Sequence, residues 1–395
     1  MKNPLYLSTV STFKDEPRFC KLMKILVFNW RCWLNPEAGG AEVFTHEVAR
    51  RWADAGHEVT LFTSTFPGCE KEETLDGVRV IRSGGRFSVY RKAKKVYSKR
   101  FKSECFDLIV DEINTRPFFA HSFIEKGEHV VALIHQLARE YWFYETSFPL
   151  NALGYYYFEN RWLRRYVNIP TVVVSNSTRE DLDALGFKQV FIVPEGLNFD
   201  PLAELSHKST HPVVVYVGRL KRAKRPIHAI TAFKKVKERL PDAELWIIGD
   251  GPIRSKLEDK SGQGIRFYGR LDNSERRRLI EQSWVLVNPG IREGWGLNIV
   301  EANALGVPSV AYFVPGLKDS VQDDVTGFLV ENGNVQAMAD GLLTLLTNET
   351  LRTRFSENAL MYSRNFSWDS TARQFLRIAM STNHKSRLSS DSSLN

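Results

Sequence analysis

The sequence has few cysteines and no long apolar run. Its 395 residues include four cysteines, without a Cys-x-x-Cys pair or a nearby histidine pattern, so neither a disulfide framework nor a zinc site is indicated. No apolar run approaches the ~18 residues of a membrane-spanning helix, and residues 1–23 contain charges and Pro4 in place of a signal peptide's apolar centre. We therefore expect a cytoplasmic protein with reduced thiols.

The dinucleotide-binding pattern G-x-G-x-x-G is also missing. Two glycine-rich turns, Gly39-Gly40 and Gly249-Asp250-Gly251, come near this pattern without completing it. The sequence therefore disfavours an NAD-dependent oxidoreductase.

Strand-like apolar runs alternate with helical segments from one end of the chain to the other. The candidate strands lie at residues 24–29, 58–63, 78–82, 108–111, 129–135, 171–175, 190–193, 213–217, 245–249, 265–268, 284–287 and 309–312. This alternation predicts an α/β fold with mostly parallel sheets. The chain is longer than a single hydrophobic core usually supports, which indicates two domains. Because residues 198–211 interrupt the pattern, we predict two sheets that face each other across a cleft, with ligands beyond the carboxyl ends of the strands.

Two carboxylates stand in the run Glu293-Gly-Trp-Gly-Leu-Asn-Ile-Val-Glu301. Glycines and a proline after the strand at 284–287 place Glu293 on a strand-to-helix loop, and Glu301 falls about one turn into the helix. The free N–H groups of a helix start bind phosphate, and a carboxylate accepts hydrogen bonds from sugar hydroxyls. The pattern fits a nucleoside diphosphate sugar, although the spacing also occurs by chance and the glycines also suit a plain tight turn.

A second pattern supplies positive charge. The strand at 213–217 runs into Gly218, which is followed by Arg219 and Lys224. A departing diphosphate develops negative charge, and a protein that uses no metal must meet that charge with Arg or Lys. The neighbouring Lys221 and Arg222 fit a merely solvated basic loop equally well.

The first half of the chain contributes two weaker candidates. Gly39-Gly40 follows the first strand and precedes an amphipathic helix, where adjacent glycines let a backbone approach a ligand closely or simply form a flexible turn. His135 ends the strand at 129–135. There it either donates to a sugar hydroxyl or, as is commoner, is hydrogen-bonded inside the structure.

The net charge of +8 is concentrated in one segment. Eight of the seventeen residues from Arg86 to Lys102 are basic, none is acidic, and aromatic and apolar residues lie between them. This composition fits a helix on an anionic membrane surface and equally a solvated basic helix. Nucleic acid is a weaker alternative, since no recognised binding module accompanies the segment, and we expect none to bind.

Taken together, these residues resemble glycosyltransferase family 4, the retaining glycosyltransferases of GT-B fold. The matching motifs occur in the family's order over roughly residues 23–380 and are Gly39-Gly40-Ala41-Glu42, Gly56-His57-Glu58-Val59, His135, Val174-Ser175, Pro194-Glu195-Gly196, Gly218-Arg219-Leu220 with Lys224, Gly249-Asp250-Gly251-Pro252, Glu293–Glu301, Gly306-Val307-Pro308 and Gly327-Phe328-Leu329-Val330. The resemblance implies two facing Rossmann-like domains. It also implies transfer of a hexose with retention of configuration, without a bound metal ion or other cofactor.

The resemblance also implies roles for individual residues. Glu301 would bind the donor ribose and Glu293 the donor sugar, while Arg219 and Lys224 would stabilise the departing diphosphate. Gly40 would lie near the diphosphate and His135 near the transferred sugar. The remaining donor contacts would come from the turn and the helix start, at Gly218, Gly294, Trp295, Gly296, Leu297 and Asn298.

The residue pattern predicts the domain boundaries, and the resemblance adds a final helix that crosses back to the first domain. An extension at residues 1–22 precedes an acceptor domain at 23–205 and a nucleotide-sugar-binding domain at 206–365. The helix at 366–380 crosses back to the first domain, and its apolar stripe needs burial. A Ser-rich tail at 381–395 is expected to be disordered.

Three positions depart from the family pattern. Arg225 follows Lys224 where glycine is usual, Asn198-Phe199 stand where many members carry Val and Asp, and only Gly316 keeps part of a common Gly-Gly-x-x-Glu motif. These departures bear on donor details more than on the reaction class. We therefore expect transfer of a hexose from a nucleotide sugar to a glycan or lipid-linked acceptor, and the alternative is an inactive sugar-nucleotide or glycan binder that keeps the fold.

Overall fold

The structure is a computed structural model that describes the backbone of residues 22–391 and the side chains of residues 22–383. The expected extension at 1–22 therefore lies outside the described residues except for Leu22. Two parallel-stranded sheets, each covered by helices, form the body of the protein. Its α/β class is the predicted one.

The first sheet has eight strands in the order β3-β4-β2-β1-β5-β6-β7-β8. Their bounds are β1 Lys24–Phe28, β2 Glu58–Thr63, β3 Glu72–Leu75, β4 Val78–Arg82, β5 Leu108–Glu112, β6 His129–Ile134, β7 Thr171–Val173 and β8 Val190–Ile192. Every pairing is parallel except that of β3 with β4. The prediction missed β3, which is a polar hairpin strand at the sheet edge whose sequence, Glu-Glu-Thr-Leu, lacks an apolar run.

The second sheet has six parallel strands in the order β11-β10-β9-β12-β13-β14. Their bounds are β9 Val213–Val217, β10 Glu244–Ile248, β11 Ile265–Gly269, β12 Val285–Asn288, β13 Ser309–Tyr312 and β14 Gly327–Val330. In both sheets the strand order reverses beside the first strand, between β1 and β5 and between β9 and β12. Loops that leave such a reversal diverge and open a crevice, which is where ligands of this kind of sheet bind.

Fourteen α-helical segments lie between the strands or after β14 in the described chain. They are α1 Gly40–Asp54, α2 Val89–Val96, α3 Tyr141–Glu145, α4 Leu150–Leu153, α5 Glu159–Leu163, α6 Asn176–Asp183, α7 Pro226–Arg239, α8 Arg254–Glu258, α9 Asn273–Gln282, α10 Leu297–Ala304, α11 Leu317–Ser320, α12 Val335–Thr347, α13 Glu349–Ser363 and α14 Trp368–Asp391. Turns of π-helix follow α2 and α4, at Tyr97–Phe101 and Gly154–Phe158. Short 3₁₀ turns lie at Lys102–Glu104, Ala120–Ser122, Arg164–Tyr166 and Arg222–Lys224.

Helix α14 crosses back onto the first sheet's domain, as predicted. The ring of Phe375 is fully buried and lies 5.3 Å from that of Trp52 on α1, and Trp52 Nε1 donates to the carbonyl of Ala372 at 3.0 Å. The backbone of α14 continues to Asp391, and the expected tail at 381–395 stays a prediction. In the described part of the chain no helix is both long and apolar enough to cross a membrane.

The basic segment Arg86–Lys102 is helical, but its apolar residues are not free. Val89, Ala93, Tyr97 and Phe101 are fully buried against the first sheet, and Phe87 is the only large apolar side chain of the segment that is exposed. The segment is therefore a basic outer face on a packed helix, not an amphipathic helix with an apolar side open to lipid.

Candidate active site

The site is built around the loop that joins β12 to α10. Asn288 ends the strand, and its side-chain oxygen accepts a hydrogen bond from Gly290 N at 3.0 Å. Glu293 N donates to the Pro315 carbonyl at 3.0 Å, which anchors the middle of the loop to its neighbour. Gly296 then adopts a φ of 91° and starts the helix, a left-handed conformation that glycine takes without strain. Glu293 thus lies on a strand-to-helix loop, as the sequence predicts.

Glu293 forms an ion pair with Lys224. The Lys224 ammonium is 2.5 Å from Glu293 Oε1 and equally close to Oε2. Burial alone would lower the pKa of Lys224, but the adjacent Glu293 carboxylate outweighs that effect and raises it. Lys224 is therefore a permanent cation, and its charge is balanced by Glu293 until another anion arrives.

Arg219 provides a second cation from the same turn after β9, and its guanidinium reaches the start of α1 in the first domain. A Cβ added to Gly39, just before α1, would lie 2.1 Å from Arg219 Nη2. Within residues 22–383, no carboxylate pairs with this guanidinium. Arg219 therefore stands beside the start of α1 with its charge uncompensated, which is the arrangement that an anionic ligand needs.

The glycine that comes closest to this cation is Gly39, one residue before the predicted Gly40. A Cβ on Gly40 would instead meet Leu297 Cδ1 at 3.5 Å, an ordinary contact. Gly40 therefore lines the interface between α1 and the start of α10, while Gly39 carries the close approach. The sequence identified the turn correctly and could not tell which of the two adjacent glycines faces the cation.

His135 lies at the end of β6, buried between two carboxylates. Its Nδ1 is 3.2 Å from Glu195 Oε1, and its Nε2 is 3.5 Å from Glu112 Oε1. Burial lowers the pKa of the imidazole, but the two carboxylates outweigh it and raise the pKa to about 10. At neutral pH His135 is consequently an imidazolium ion, and Nε2 makes no hydrogen bond to another described residue.

The loop of Glu293 approaches this histidine directly. A Cβ on Gly294 would lie 3.0 Å from the His135 carbonyl oxygen, which already accepts a hydrogen bond from Thr178 Oγ1 at 2.9 Å. Gly294 therefore allows the two domains to meet at this point. The structure brings His135 and the Glu293 loop together as predicted.

Glu112 and Glu195 are the two carboxylates that contact His135. From the sequence, Glu112 was a strand-end residue facing either an acceptor or solvent, and Glu195 was part of the Pro-Glu-Gly motif without a role of its own. Glu112 ends β5, and Glu195 follows β8 in the Pro-Glu-Gly turn; both are buried. Burial raises the pKa of Glu195, and its hydrogen bond to His135 opposes that rise. Their position at strand ends was the available signal for a role in the site. Their common partner, His135, could not be predicted because it depends on the order of the strands in the sheet.

Glu301 lies one turn into α10 and is also buried. Arg276 Nη2 on α9 contacts Glu301 Oε1 at 2.8 Å. Burial raises the pKa of Glu301, and the Arg276 charge opposes that rise. Arg276 therefore keeps a buried carboxylate oriented, and the sequence did not single it out among three consecutive arginines.

The other predicted donor residues lie around the same crevice. Asn298 Nδ2 donates to the Val217 carbonyl at 2.8 Å, which ties the start of α10 to the end of β9. Gly218 N donates to the Ile248 carbonyl at 3.0 Å. The Trp295 side chain turns away and packs on Phe366 with ring centroids 5.4 Å apart, so only its backbone is available to a ligand.

Two further residues link the domains beside Glu293. Arg292 on the same loop is 6% exposed and contacts Glu140 at 2.8 Å and Asp181 at 2.6 Å, both from the first domain. The Tyr141 hydroxyl donates to the Arg292 carbonyl at 3.1 Å and lies close enough to Lys224 for that charge to oppose the burial that raises the pKa of Tyr141. The cleft is therefore closed over the Lys224–Glu293 pair.

Comparison with known families agrees with this geometry. The model described as Glycosyltransferase Family 4 matches residues 38–200, and the model described as Glycosyl transferases group 1 matches residues 202–361. The chain belongs to glycosyltransferase family 4. Its assignment from the sequence is confirmed, and the chain is a glycosyltransferase. The residues at which each predicted domain begins and ends stay a prediction.

Curated relatives of this family 4 glycosyltransferase carry different activities in their names. Phosphatidyl-myo-inositol mannosyltransferase of Mycobacterium leprae is 30% identical over 220 residues, which are 53% of this chain and 58% of the relative. D-inositol 3-phosphate glycosyltransferase of Corynebacterium urealyticum is 25% identical over 387 residues, 87% of this chain and 90% of the relative. Poly(glycerol-phosphate) alpha-glucosyltransferase of Bacillus subtilis is 28% identical, and the match spans 49% of this chain and 30% of the relative.

Solved structures show the same fold. Sucrose-phosphate synthase from Thermosynechococcus elongatus superposes with a TM-score of 0.75 at 20% identity, covering 91% of this chain and 99% of the other. WaaG, a glycosyltransferase involved in lipopolysaccharide biosynthesis, gives 0.71 at 18% identity, covering 90% and 99%. The predicted GT-B fold of two facing Rossmann-like domains is confirmed.

Proposed function

We propose that this glycosyltransferase transfers a hexose from a nucleoside diphosphate sugar to a glycan or lipid-linked acceptor, with retention of anomeric configuration. The observation that carries the proposal is the contact between Lys224 and Glu293 at the mouth of the second sheet. It places a cation and a carboxylate side by side. A substrate that binds both needs an anionic group for Lys224 and hydroxyl groups for Glu293. A sugar diphosphate offers both.

Each end of such a donor has a partner in the cleft. Glu301, held by Arg276, accepts hydrogen bonds from the ribose hydroxyls. The diphosphate lies between Arg219 and Lys224, next to the helix starts of α1 and α10. Glu293, released in part from Lys224 by the incoming phosphate, accepts from the hydroxyls of the sugar.

The reaction breaks the bond between the anomeric carbon and the terminal phosphate oxygen. Negative charge then develops on that oxygen, and Lys224 and Arg219 stabilise it more strongly than in the bound donor. The acceptor hydroxyl bonds to the anomeric carbon on the face that the phosphate leaves, and its proton passes to the departing phosphate. Because the protein supplies both cations, we expect no requirement for a metal ion, and no side chain is assigned as a nucleophile.

His135 completes the site on the acceptor side. As an imidazolium fixed by Glu112 and Glu195, it offers the Nε2 proton to a hydroxyl of the transferred sugar. A charged donor strengthens such a hydrogen bond about twofold over a neutral one. This assignment gives the histidine a positioning role toward the sugar and leaves proton transfer to the phosphate.

The acceptor is proposed as a glycan or a lipid-linked headgroup. One relative carries phosphatidyl-myo-inositol in its name and another poly(glycerol-phosphate). We place the protein in the cytoplasm, peripheral to an anionic membrane. The outer face of Arg86–Lys102 can add electrostatic attraction to such a surface, although Arg100 and Lys102 already pair with Glu72 and Glu125.

The test is release of nucleoside diphosphate from a panel of UDP-, GDP- and ADP-sugars, measured with and without candidate acceptors. One donor should be turned over, and Lys224→Ala and Glu293→Ala should each abolish most of that turnover. Arg222→Ala is the matched control, because Arg222 is an exposed cation in the same turn as Lys224. Donor binding without turnover across the whole panel would indicate an inactive binder and contradict the proposal.

A further inference from the structure

Large apolar side chains are exposed in one short stretch of the first domain. In the described part of the chain twelve large hydrophobic residues are exposed, and six of them fall between residues 143 and 157. The six, here called the aromatic patch, are Phe143, Phe148, Leu150, Leu153, Tyr156 and Tyr157. Phe148 is 83% exposed and Tyr156 70%. Contiguous patches of this kind mark interaction surfaces, whereas single exposed residues do not.

The patch lies on a well-packed element. Glycine is required at position 154, where a Cβ would lie 2.2 Å from the Trp142 ring. The Glu159 carboxylate is buried and accepts a hydrogen bond from Arg139 N at 3.0 Å. The inner side of this helix is therefore fixed to the domain, so the exposed outer side is a built feature of the fold.

The outer side changes from apolar to basic along the helix. Leu150, Leu153 and Tyr157 follow one another at helical spacing across the π-helical turn, and exposed Arg161 and Arg164 continue the same row. The Arg161 guanidinium lies over the Tyr157 ring, 5.7 Å from its centroid. Amphipathic aromatic rings beside arginines are typical of surfaces that rest in the headgroup region of a bilayer.

The charges around the patch favour an anionic partner. Of the two acidic residues between 141 and 166, Glu145 pairs with Lys221 at 3.2 Å and Glu159 is buried. Three arginines, Arg161, Arg164 and Arg165, remain at the surface of the same stretch. A phospholipid surface with negative headgroups matches both the charge and the apolar side chains, since each basic residue near such a surface contributes ~1 kcal/mol of attraction.

The patch is also joined directly to the active site. The stretch that carries it begins at Tyr141, beside Lys224, and Tyr144 accepts a hydrogen bond from Arg225 Nη2 at 2.9 Å. By contrast, the basic segment Arg86–Lys102 has its apolar residues buried. Among residues 22–383, only the aromatic patch combines exposed apolar groups, positive charge and a place at the cleft.

We propose that the aromatic patch and Arg161, Arg164 and Arg165 form a membrane-docking surface, which rests on an anionic bilayer and brings the cleft to the headgroups of a lipid-linked acceptor. The delivery of the cleft to a lipid-linked acceptor rests on the proposed function, whereas docking on the bilayer does not. The rival occupants are a second copy of this chain and a protein partner.

The test is flotation of the full chain with vesicles of phosphatidylglycerol and phosphatidylcholine in equal parts, and with phosphatidylcholine alone. The wild type should bind the anionic vesicles preferentially. The triple variant Phe148→Ser, Tyr156→Ser, Tyr157→Ser should bind roughly tenfold or more weakly, because each substitution removes exposed apolar area. Arg161→Glu with Arg164→Glu should remove the preference for anionic vesicles.

Matched controls separate docking from folding and from catalysis. Met361→Ser removes an exposed apolar residue of the second domain and should bind like the wild type. Lys224→Ala should also bind like the wild type, so an inactive enzyme does not imply a failure to dock. Thermal melting and donor binding of the triple variant should match the wild type, since exposed positions contribute little to stability.

Three results would overturn the proposal. The first is a wild type that does not float with anionic vesicles. The second is a triple variant that floats as well as the wild type. The third is a wild type that forms a concentration-dependent dimer without binding vesicles, together with a triple variant that stays monomeric. That result would assign the patch to a second copy of the chain.

Discussion

The Lys224 ammonium contacts both carboxylate oxygens of Glu293, and it does so across the crevice where the second sheet reverses its strand order. The lysine comes from the turn after β9 and the glutamate from the loop after β12, two strands that are neighbours in the sheet. Each group holds the other's charge in a partly buried position. Under the proposed function, the pair is a pre-formed site in which Lys224 exchanges Glu293 for a phosphate and Glu293 exchanges Lys224 for a sugar hydroxyl.

Gly39→Ala should impair catalysis, whereas Gly40→Ala should be tolerated. A methyl group at Gly39 would meet Arg219 Nη2 at 2.1 Å and force the guanidinium out of position, while one at Gly40 makes only an ordinary contact with Leu297 at 3.5 Å. We expect a loss of roughly tenfold or more in kcat for Gly39→Ala, as for weakening one donor to the leaving group. Steady-state kinetics of both variants check this, and equal kinetics of the two would contradict the placement of Arg219.

His135 should stay protonated well above neutral pH. Its pKa is raised from the ordinary 6.5 to about 10 by Glu112 and Glu195, which outweigh burial. Protonation of a group with a raised pKa stabilises the fold fully below its unfolded pKa, and this contribution is lost as pH rises through the folded value. Nitrogen chemical shifts of the imidazole at pH 8 should show the cation.

His57 gives the internal control for that titration. Burial lowers the pKa of His57, so it should be neutral at pH 8 in the same spectra. Glu195→Gln should move the His135 titration toward lower pH. A neutral His135 ring at pH 7 in the wild type would show that the carboxylates do not hold it as an imidazolium.

Arg276→Ala should weaken binding of the donor nucleotide. Without the 2.8 Å contact from Arg276, the Glu301 carboxylate stays buried with no cation beside it, so its pKa rises further and more of it is protonated. We expect roughly a tenfold loss of nucleoside diphosphate affinity by calorimetry, from the cost of breaking a buried charged pair, and a steeper loss on acidification. Arg278→Ala, on the same helix but paired with Glu275 at the surface, should leave the affinity unchanged.

Arg292→Ala should open the cleft. Its side chain is buried and bridges Glu140 and Asp181 of the first domain, and removing one member of a buried charge cluster leaves the others without compensation. Small-angle scattering should show a larger radius of gyration, with a reduced kcat. Lys318→Ala is the comparison, because its pair with Glu180 also joins the domains but is more exposed, and surface pairs contribute only ~0–1 kcal/mol. An unchanged radius for Arg292→Ala would exclude a clamp at this position.

Local pattern was sufficient for twelve of the fourteen strands, for the turns and for the position of the chief charged residues, but it missed the strands β3 and β14. The hydrophobic period and the breaker residues mark the ends of strands and helices in the sequence. The chief charged residues stand next to such ends, namely Glu293, Glu301, Arg219 and Lys224. The sequence could also place His135 at a strand end. These features depend on a few neighbouring residues, which is why they were predictable.

The partners of these residues were not predictable in the same way. Arg276 is one of three consecutive arginines, and only the packing of α9 against α10 selects it for Glu301. Arg292 precedes Glu293 directly, yet its partners are more than one hundred residues away. For the basic segment Arg86–Lys102 the sequence left a membrane surface and solvent as equal alternatives, because its composition does not say that its apolar residues pack on the sheet.

The central claim is that Lys224 and Glu293 act as one unit on a sugar diphosphate, and a double-mutant cycle on kcat tests it most directly. Lys224→Ala and Glu293→Ala should each lower kcat by roughly 10²–10³-fold. The double variant should lose far less than the product of the two losses, because either single change already breaks the unit. Losses that multiply fully, or a Lys224→Ala enzyme that retains wild-type kcat, would contradict the account.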